Sequence, residues 1–274
     1  MRSPVIWFAL ILAAAIGGGF YFWKERTDRE ARLEQIPASK PEVAQSAPPA
    51  ADEPEVAHPL PPAPPSTPDS ELKPLPPLSE SDEALHASLA TPLGSRAFND
   101  IVISKDIARR IVATVDNLPR RKASTQLLPF KAPARQLAIS RKGERVTLSG
   151  ANYARYVPYV KLAQAVDAKR LVALYVRFYP LFQQAYEELG YPKKYFNDRA
   201  VEAIDDLLAV PDVDGPVALV QPKVVYEFAD PELEELSAGQ KLLIRIGPQN
   251  AAAIKAKLRE VRHELVADAP APDR

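Results

Sequence analysis

The first pattern along the chain is a run of nineteen residues, Val5 to Trp23, without a charged side chain. At about 1.5 Å per residue such a helix spans roughly 28 Å, close to the hydrocarbon thickness of a bilayer. Trp7 and Phe8 stand at one end and Phe20, Tyr21, Phe22 and Trp23 at the other, which places aromatic rings at both interfaces. The run is longer than the apolar core of a secretion signal. It also ends in bulky aromatics where cleavage needs small residues, so it reads as an uncleaved transmembrane anchor behind a short tail, residues 1–4. Residues 24–35 mix both signs of charge, with i,i+4 pairs such as Asp28 and Arg32, and predict a juxtamembrane helix. Residues 36–78 then hold fourteen of the twenty-nine prolines and few large apolar groups. Such a stretch predicts a disordered, extended linker that makes no contact with a core.

From residue 79 onward the apolar positions return at helical spacing. Ser81 marks a helix start, and Ser104 is expected to cap a stronger helix with Ile107, Ile111, Val112 and Val115 inward. Leu137 to Ile139 and Val146 to Leu148 flank Gly143 as a β-hairpin. Asn152 to Val166 predicts one helix. Asp167 caps the longest, Ala168 to Leu189, with Leu171, Leu174, Tyr175, Phe178, Phe182, Ala185 and Leu189 on the inward face, Pro180 as a kink and Gly190 closing it. Asn197 or Asp198 starts a helix that Pro211 stops. Val217 to Val220 and Val224 to Phe228 are short strand candidates. Asp230 and Pro231 begin another helix, Ser237 to Ile246 continues it or begins anew, and Pro248 to Val266 is the last. The expected fold class is mainly α: a transmembrane helix, a Pro-rich tether, one helical domain over residues 79–266 with a minor β-hairpin, and a disordered tail, 267–274.

Composition then narrows the chemistry. There are no cysteines and three histidines, which removes disulfides, thiolate metal sites and cysteine nucleophiles. No metal site or cofactor is expected. Charge is balanced overall but polarised. Arg96 to Arg170 carries sixteen Lys and Arg against five Asp and Glu, and Leu171 to the end carries twelve against seventeen. The basic group Arg109, Arg110, Arg120, Arg121, Lys122, Lys131 and Arg135 is a candidate patch for an anionic partner, read against the alternative of a merely solvated face. The aromatic run around Tyr186 and Tyr191, with Glu187 beside it, is a candidate for stacking on a sugar or peptide, read against a core stripe. Asn197, Asp198, Arg199 and Glu202 are ligand candidates, read against a helix start with a cap and an i,i+4-type pairing. No phosphate loop, nucleophile elbow or zinc-protease motif is present, and no nucleic-acid-binding motif stands out.

The segments DIARRIVATVDNLPR, SGANYARYVPYV, LVALYVRFYPLFQQAYEELGYPKKYFNDRAVEAIDDLL and FADPELEELSAGQKLLIRIGPQNAAAIKAKLREVRHEL resemble, in order and spacing, the bacterial family of unknown function numbered 3014. The resemblance covers about residues 79–266. It implies a bacterial envelope setting and a layout of membrane segment, Pro-rich linker and domain. It carries over no catalytic residue.

The expected function is therefore that of a membrane-anchored, non-enzymatic cell-envelope protein whose domain binds a protein partner or an anionic wall polymer. The alternative is a wall-acting hydrolase or lyase that uses Glu187 or Glu188 within the aromatic cluster. A single pass through the bacterial inner membrane leaves the side of the domain to be decided. Arg2 precedes the span, whereas Lys24, Arg26, Arg29, Arg32 and Lys40 follow it, and the basic-residue rule puts that side in the cytoplasm. A long stand-off linker favours the extracytoplasmic side, which is the expectation adopted. Alkaline phosphatase fused to the C-terminus of the full chain should then be active and a green fluorescent protein fusion dark; the reverse pair would put the domain in the cytoplasm.

Overall fold

The computed structural model describes residues 56–62, 74–93, 95–123, 128–134, 136–165 and 167–266. The expected anchor, the juxtamembrane helix and the C-terminal tail lie outside them. Among the described residues no helix is long and apolar enough to cross a membrane.

Helices α1 (Asp82–Leu93), α2 (Ser95–Ile101) and α3 (Ile107–Asn117) lead into a hairpin, β1 (Ile139–Lys142) and β2 (Arg145–Leu148). Helices α4 (Gly150–Ala154), α5 (Val157–Gln164), α6 (Ala168–Glu188) and α7 (Phe196–Leu208) follow. Strands β3 (Ala218–Val220) and β4 (Glu227–Phe228) precede α8 (Pro231–Glu235), α9 (Ala238–Ile246) and α10 (Pro248–Val266). Helix α6 is the spine, with α3 and α10 packed on it; α7 packs on α3, α9 and α10. One core cluster runs through all of these helices.

The class expected from the sequence, mainly helical with a small antiparallel sheet, is what the domain has. The hairpin forms around Gly143, whose φ of +59° suits a residue without a Cβ. The two strand candidates downstream do not stand apart. They add to the hairpin as a four-stranded antiparallel sheet in the order β1-β2-β3-β4. Val146 faces Leu219, and Leu219 faces Phe228, so Leu148, Leu219 and Phe228 are buried from three strands.

Several ends differ from the sequence expectation. Ser104 does not cap α3. Its start is held by Asp82 of α1, whose carboxylate accepts the N–H groups of Asp106 and Ile107 at 2.8 Å each. The expected helix from Asn152 to Val166 is broken into α4 and α5, because Pro158 has no N–H to give and fits only the first turn of a helix. Pro180 is accommodated inside α6. Leu189, expected inward, is 40% exposed, since the chain has already turned toward Gly190 (φ +113°).

The linker is corrected as well. Leu60 and Leu75 pack against the core, and Pro61 and Leu78 are buried. Composition averaged over residues 36–78 hides these few apolar side chains. Proline also brings no N–H to be orphaned, so a proline-rich strand can lie on an apolar face at little hydrogen-bonding cost.

Phe182 on α6 is 1% exposed and stacks on Tyr175, centroids 6.0 Å apart. Phe182→Ala should cost about 3–5 kcal/mol in a urea titration. Leu189→Ala should stay within about 0.5 kcal/mol. Equal costs would contradict the inward stripe.

Candidate functional site

The residues that shape the site begin with the turn from α6 to α7. A helix start leaves amide protons unpaired, and in α7 they are met by side chains of the preceding helix. Gln183 Oε1 accepts from the Phe196 N–H at 2.8 Å, and the Tyr179 hydroxyl oxygen accepts from the Asn197 N–H at 3.3 Å. The same Gln183 donates through Nε2 to the Lys194 carbonyl at 2.9 Å, which fixes the turn itself. Asn197 and Asp198 are therefore not caps, in contrast to the helix-cap reading of the sequence.

Their side chains do other work. Asn197 is fully buried; its Oδ1 accepts from the Tyr175 hydroxyl at 2.8 Å, and its Nδ2 donates to the His58 carbonyl at 2.8 Å. The Asp198 carboxylate accepts from the His58 N–H at 2.6 Å and the Ala57 N–H at 3.3 Å. A short piece of linker is thus held by two consecutive residues of α7.

Next to this contact lies an open cleft of about 610 Å³, lined by Tyr186 and Glu202, by Tyr191, Lys193, Lys194 and Tyr195 of the turn, and by Asp116, Arg120 and Arg199 at its floor. The floor is an ion network. The Asp116 side chain is only 5% exposed and accepts from Arg120 Nη2 at 2.6 Å and from Arg199 Nε at 3.1 Å. Arg199 also donates to the Asp116 carbonyl and pairs with Glu202 at 2.7 Å. Arg120 in turn donates to the Tyr191 hydroxyl oxygen. Tyr186 and Tyr191 stack as one wall, centroids 4.6 Å apart, and Lys194 lies 5.7 Å over the Tyr191 ring.

Burial sets the electrostatics. It pushes the Tyr186 phenol up to about 12, helped by the neighbouring Asp116 charge. Burial also raises Tyr175 and Tyr179 well above the ordinary phenol value. All three stay neutral hydroxyls at any physiological pH; Tyr175 and Tyr179 serve as hydrogen-bonding groups behind the wall. Asp206, farther along α7, is raised by burial and eased by the Ser237 hydroxyl that donates to it at 2.6 Å.

The sequence candidates distribute unevenly. Arg120, Tyr186, Tyr191 and Asp198 line the cleft, and Asn197 adjoins it through the linker contact. Arg109 instead reaches Glu188 at 2.9 Å, Arg121 reaches Glu235, and Arg110 donates to the Lys105 and Leu128 carbonyls at 2.9 and 3.0 Å. Lys131 donates to the Asn99 carbonyl at 2.6 Å. Lys122 is exposed, and Arg135 lies outside the described residues. Glu187 is exposed and accepts from Gln183 at 2.9 Å. Neither Glu187 nor Glu188 lines the cleft.

Sequence reasoning missed Asp116, the acid that Arg199 meets. Asp116 sits on an apolar helix face as the one acid between Asp106 and Glu144, and that isolation was its signal. Among the described residues no group of three or more acidic or histidine side chains is placed to hold a metal ion.

A protein-family model described as Protein of unknown function (DUF3014) matches residues 107–262, from the start of α3 into α10. No curated protein matches the chain, and no solved structure does.

Removing one partner of a buried pair strands the other charge. Arg199→Leu should therefore cost about 3 kcal/mol by urea denaturation. Arg109→Leu breaks a pair whose side chains are 42% and 43% exposed, and should change stability by less than about 1 kcal/mol. Similar costs for the two would mean that Asp116 is not the keystone of the cleft.

Proposed function

We propose that this chain, which belongs to the DUF3014 family, is a membrane-anchored, non-enzymatic cell-envelope protein whose extracytoplasmic domain docks a protein partner through the cleft at the α6–α7 turn. The observation that carries this reading is the stacked wall of Tyr186 and Tyr191 facing an open cleft, with the exposed Lys193 and Lys194 on its rim. Tyr191, half-buried and braced by the buried Tyr186, offers a rigid contact surface at low entropic cost, and a charged rim steers association and sets register. The floor supports the same reading. Its charges already neutralise one another, so they hold the wall in place and leave the lysines to the partner.

A photo-crosslinking residue at position 193 of the full chain, in native membranes, should trap one protein species. The same residue at Arg259, exposed on α10, should trap none. Lys194→Glu should reduce the adduct at 193 about fivefold, corresponding to about 1 kcal/mol. An adduct to acidic wall polymer in place of protein would transfer the reading to that ligand. Equal trapping at both positions would overturn it.

A further inference from the structure

The short stretch Val56–Pro62 is held to α7 by its backbone at Ala57 and His58. Ala57 and His58 give their N–H groups to the two oxygens of Asp198, and the His58 carbonyl takes the amide proton of Asn197. The pairings join residues some 140 positions apart in sequence. Pro59, Pro61 and Pro62 have no N–H, so beyond the two clamped amides and that of Val56 only Leu60 carries a donor. Leu60 packs against the core cluster, and Pro61 is buried. The clamp itself is prebuilt: Tyr175 fixes the Asn197 amide, Tyr179 and Gln183 hold the start of α7, and Asn197 is fully buried.

We propose that Asn197 and Asp198 form a peptide-backbone clamp for an extended, proline-containing segment, and that its occupant is the chain's own linker, Val56–Pro62. Two consecutive backbone donors are read by one carboxylate and the following carbonyl by a buried amide. A proline after His58 keeps the strand extended and frees it from orphaned donors as it crosses the apolar surface. The ligand class follows from those contacts: two amides with free N–H, then proline, then a large apolar residue such as Leu60 that packs on the core. Other segments of this class compete for the same place. The linker is then a strap, and its release adds the length between residues 56 and 74 to the reach of the domain, about 56 Å at roughly 3.1 Å per residue. The strap ends on Asp198, which also lines the partner cleft; that link to docking rests on the function proposed above, whereas the clamp does not.

Hydrogen exchange on the full chain, read by mass spectrometry over residues 56–62, tests the clamp. In the unaltered chain the Ala57 and His58 amides should exchange at least about tenfold slower than an unstructured peptide. Asp198→Ala on the domain side and Leu60→Asp on the linker side should each restore the unstructured rate, while exchange in α6 and α7 stays unchanged. A synthetic peptide of residues 56–62 added in excess should do the same to the unaltered chain. Unstructured rates in the unaltered chain, or protection that survives both substitutions, would overturn the proposal. The crosslink at position 193 reports separately, so loss of the clamp with that adduct intact condemns only the strap, and the converse condemns only the docking reading.

Discussion

The amide protons that open α7 are satisfied from α6, and the arrangement of the site depends on that one exchange. A helix normally meets this demand with its own first side chains. Here Gln183 and Tyr179 supply the acceptors, and both stand on a helix whose aromatic face is buried. The consequence is positional. Asn197 and Asp198, the residues that would otherwise fold back on their own helix, are free to point at another segment. Tyr175 then orients the Asn197 amide, and the same helix supplies Tyr186 to the cleft wall. One rigid element thereby fixes both the clamp and the cleft, which is why the two lie side by side.

The regular elements were largely legible. Apolar spacing of three and four placed α6 and α10, and Asp167 and Asp230 were readable starts because their caps are local: Asp167 accepts from the Arg170 N–H at 3.1 Å, and Asp230 from the Glu232 N–H at 2.9 Å; Ser237, open between continuing a helix and beginning one, begins α9 with a reciprocal capping box to Gln240. What the sequence could not show is anything whose partner is distant. Asp82 holding the start of α3 and β3 adding to β2 depend on chain approach that leaves no periodic trace. The strand candidates were visible as strands, but their register was not, because each is only two or three residues long.

The site was half visible for the same reason. Asn197, Asp198, Tyr186 and Tyr191 attract notice by type, and the reading of the first two as caps failed only because their neighbours had already done that work. The linker escaped because a composition argument concerns averages. A stretch dominated by proline, alanine and glutamate is not expected to build a core of its own, yet Leu60 and Pro61 need only a prepared surface on something that has one. Disorder by composition and docking by a few residues are compatible statements at different lengths of chain.

The charge polarisation seen along the sequence finds its use inside the domain. Arg109 from the basic half meets Glu188 from the acidic half, and Arg121 meets Glu235. The buried acid of the basic half, Asp116, is met by Arg199 from the other half. Exposed pairs of the first kind contribute little to stability. The buried one costs desolvation and tolerates no unpaired partner. Together they act as a constraint on register: α3 has to meet α6 and α7 in the one alignment that leaves no charge stranded. That alignment brings Arg120 and Tyr191 together over Asp116. A basic stretch that read either as a surface for an external anion or as a solvated face is, for Arg109, Arg120 and Arg121, paired with the chain's own acids. The cations on the cleft rim are Lys193 and Lys194, which belong to the acidic half.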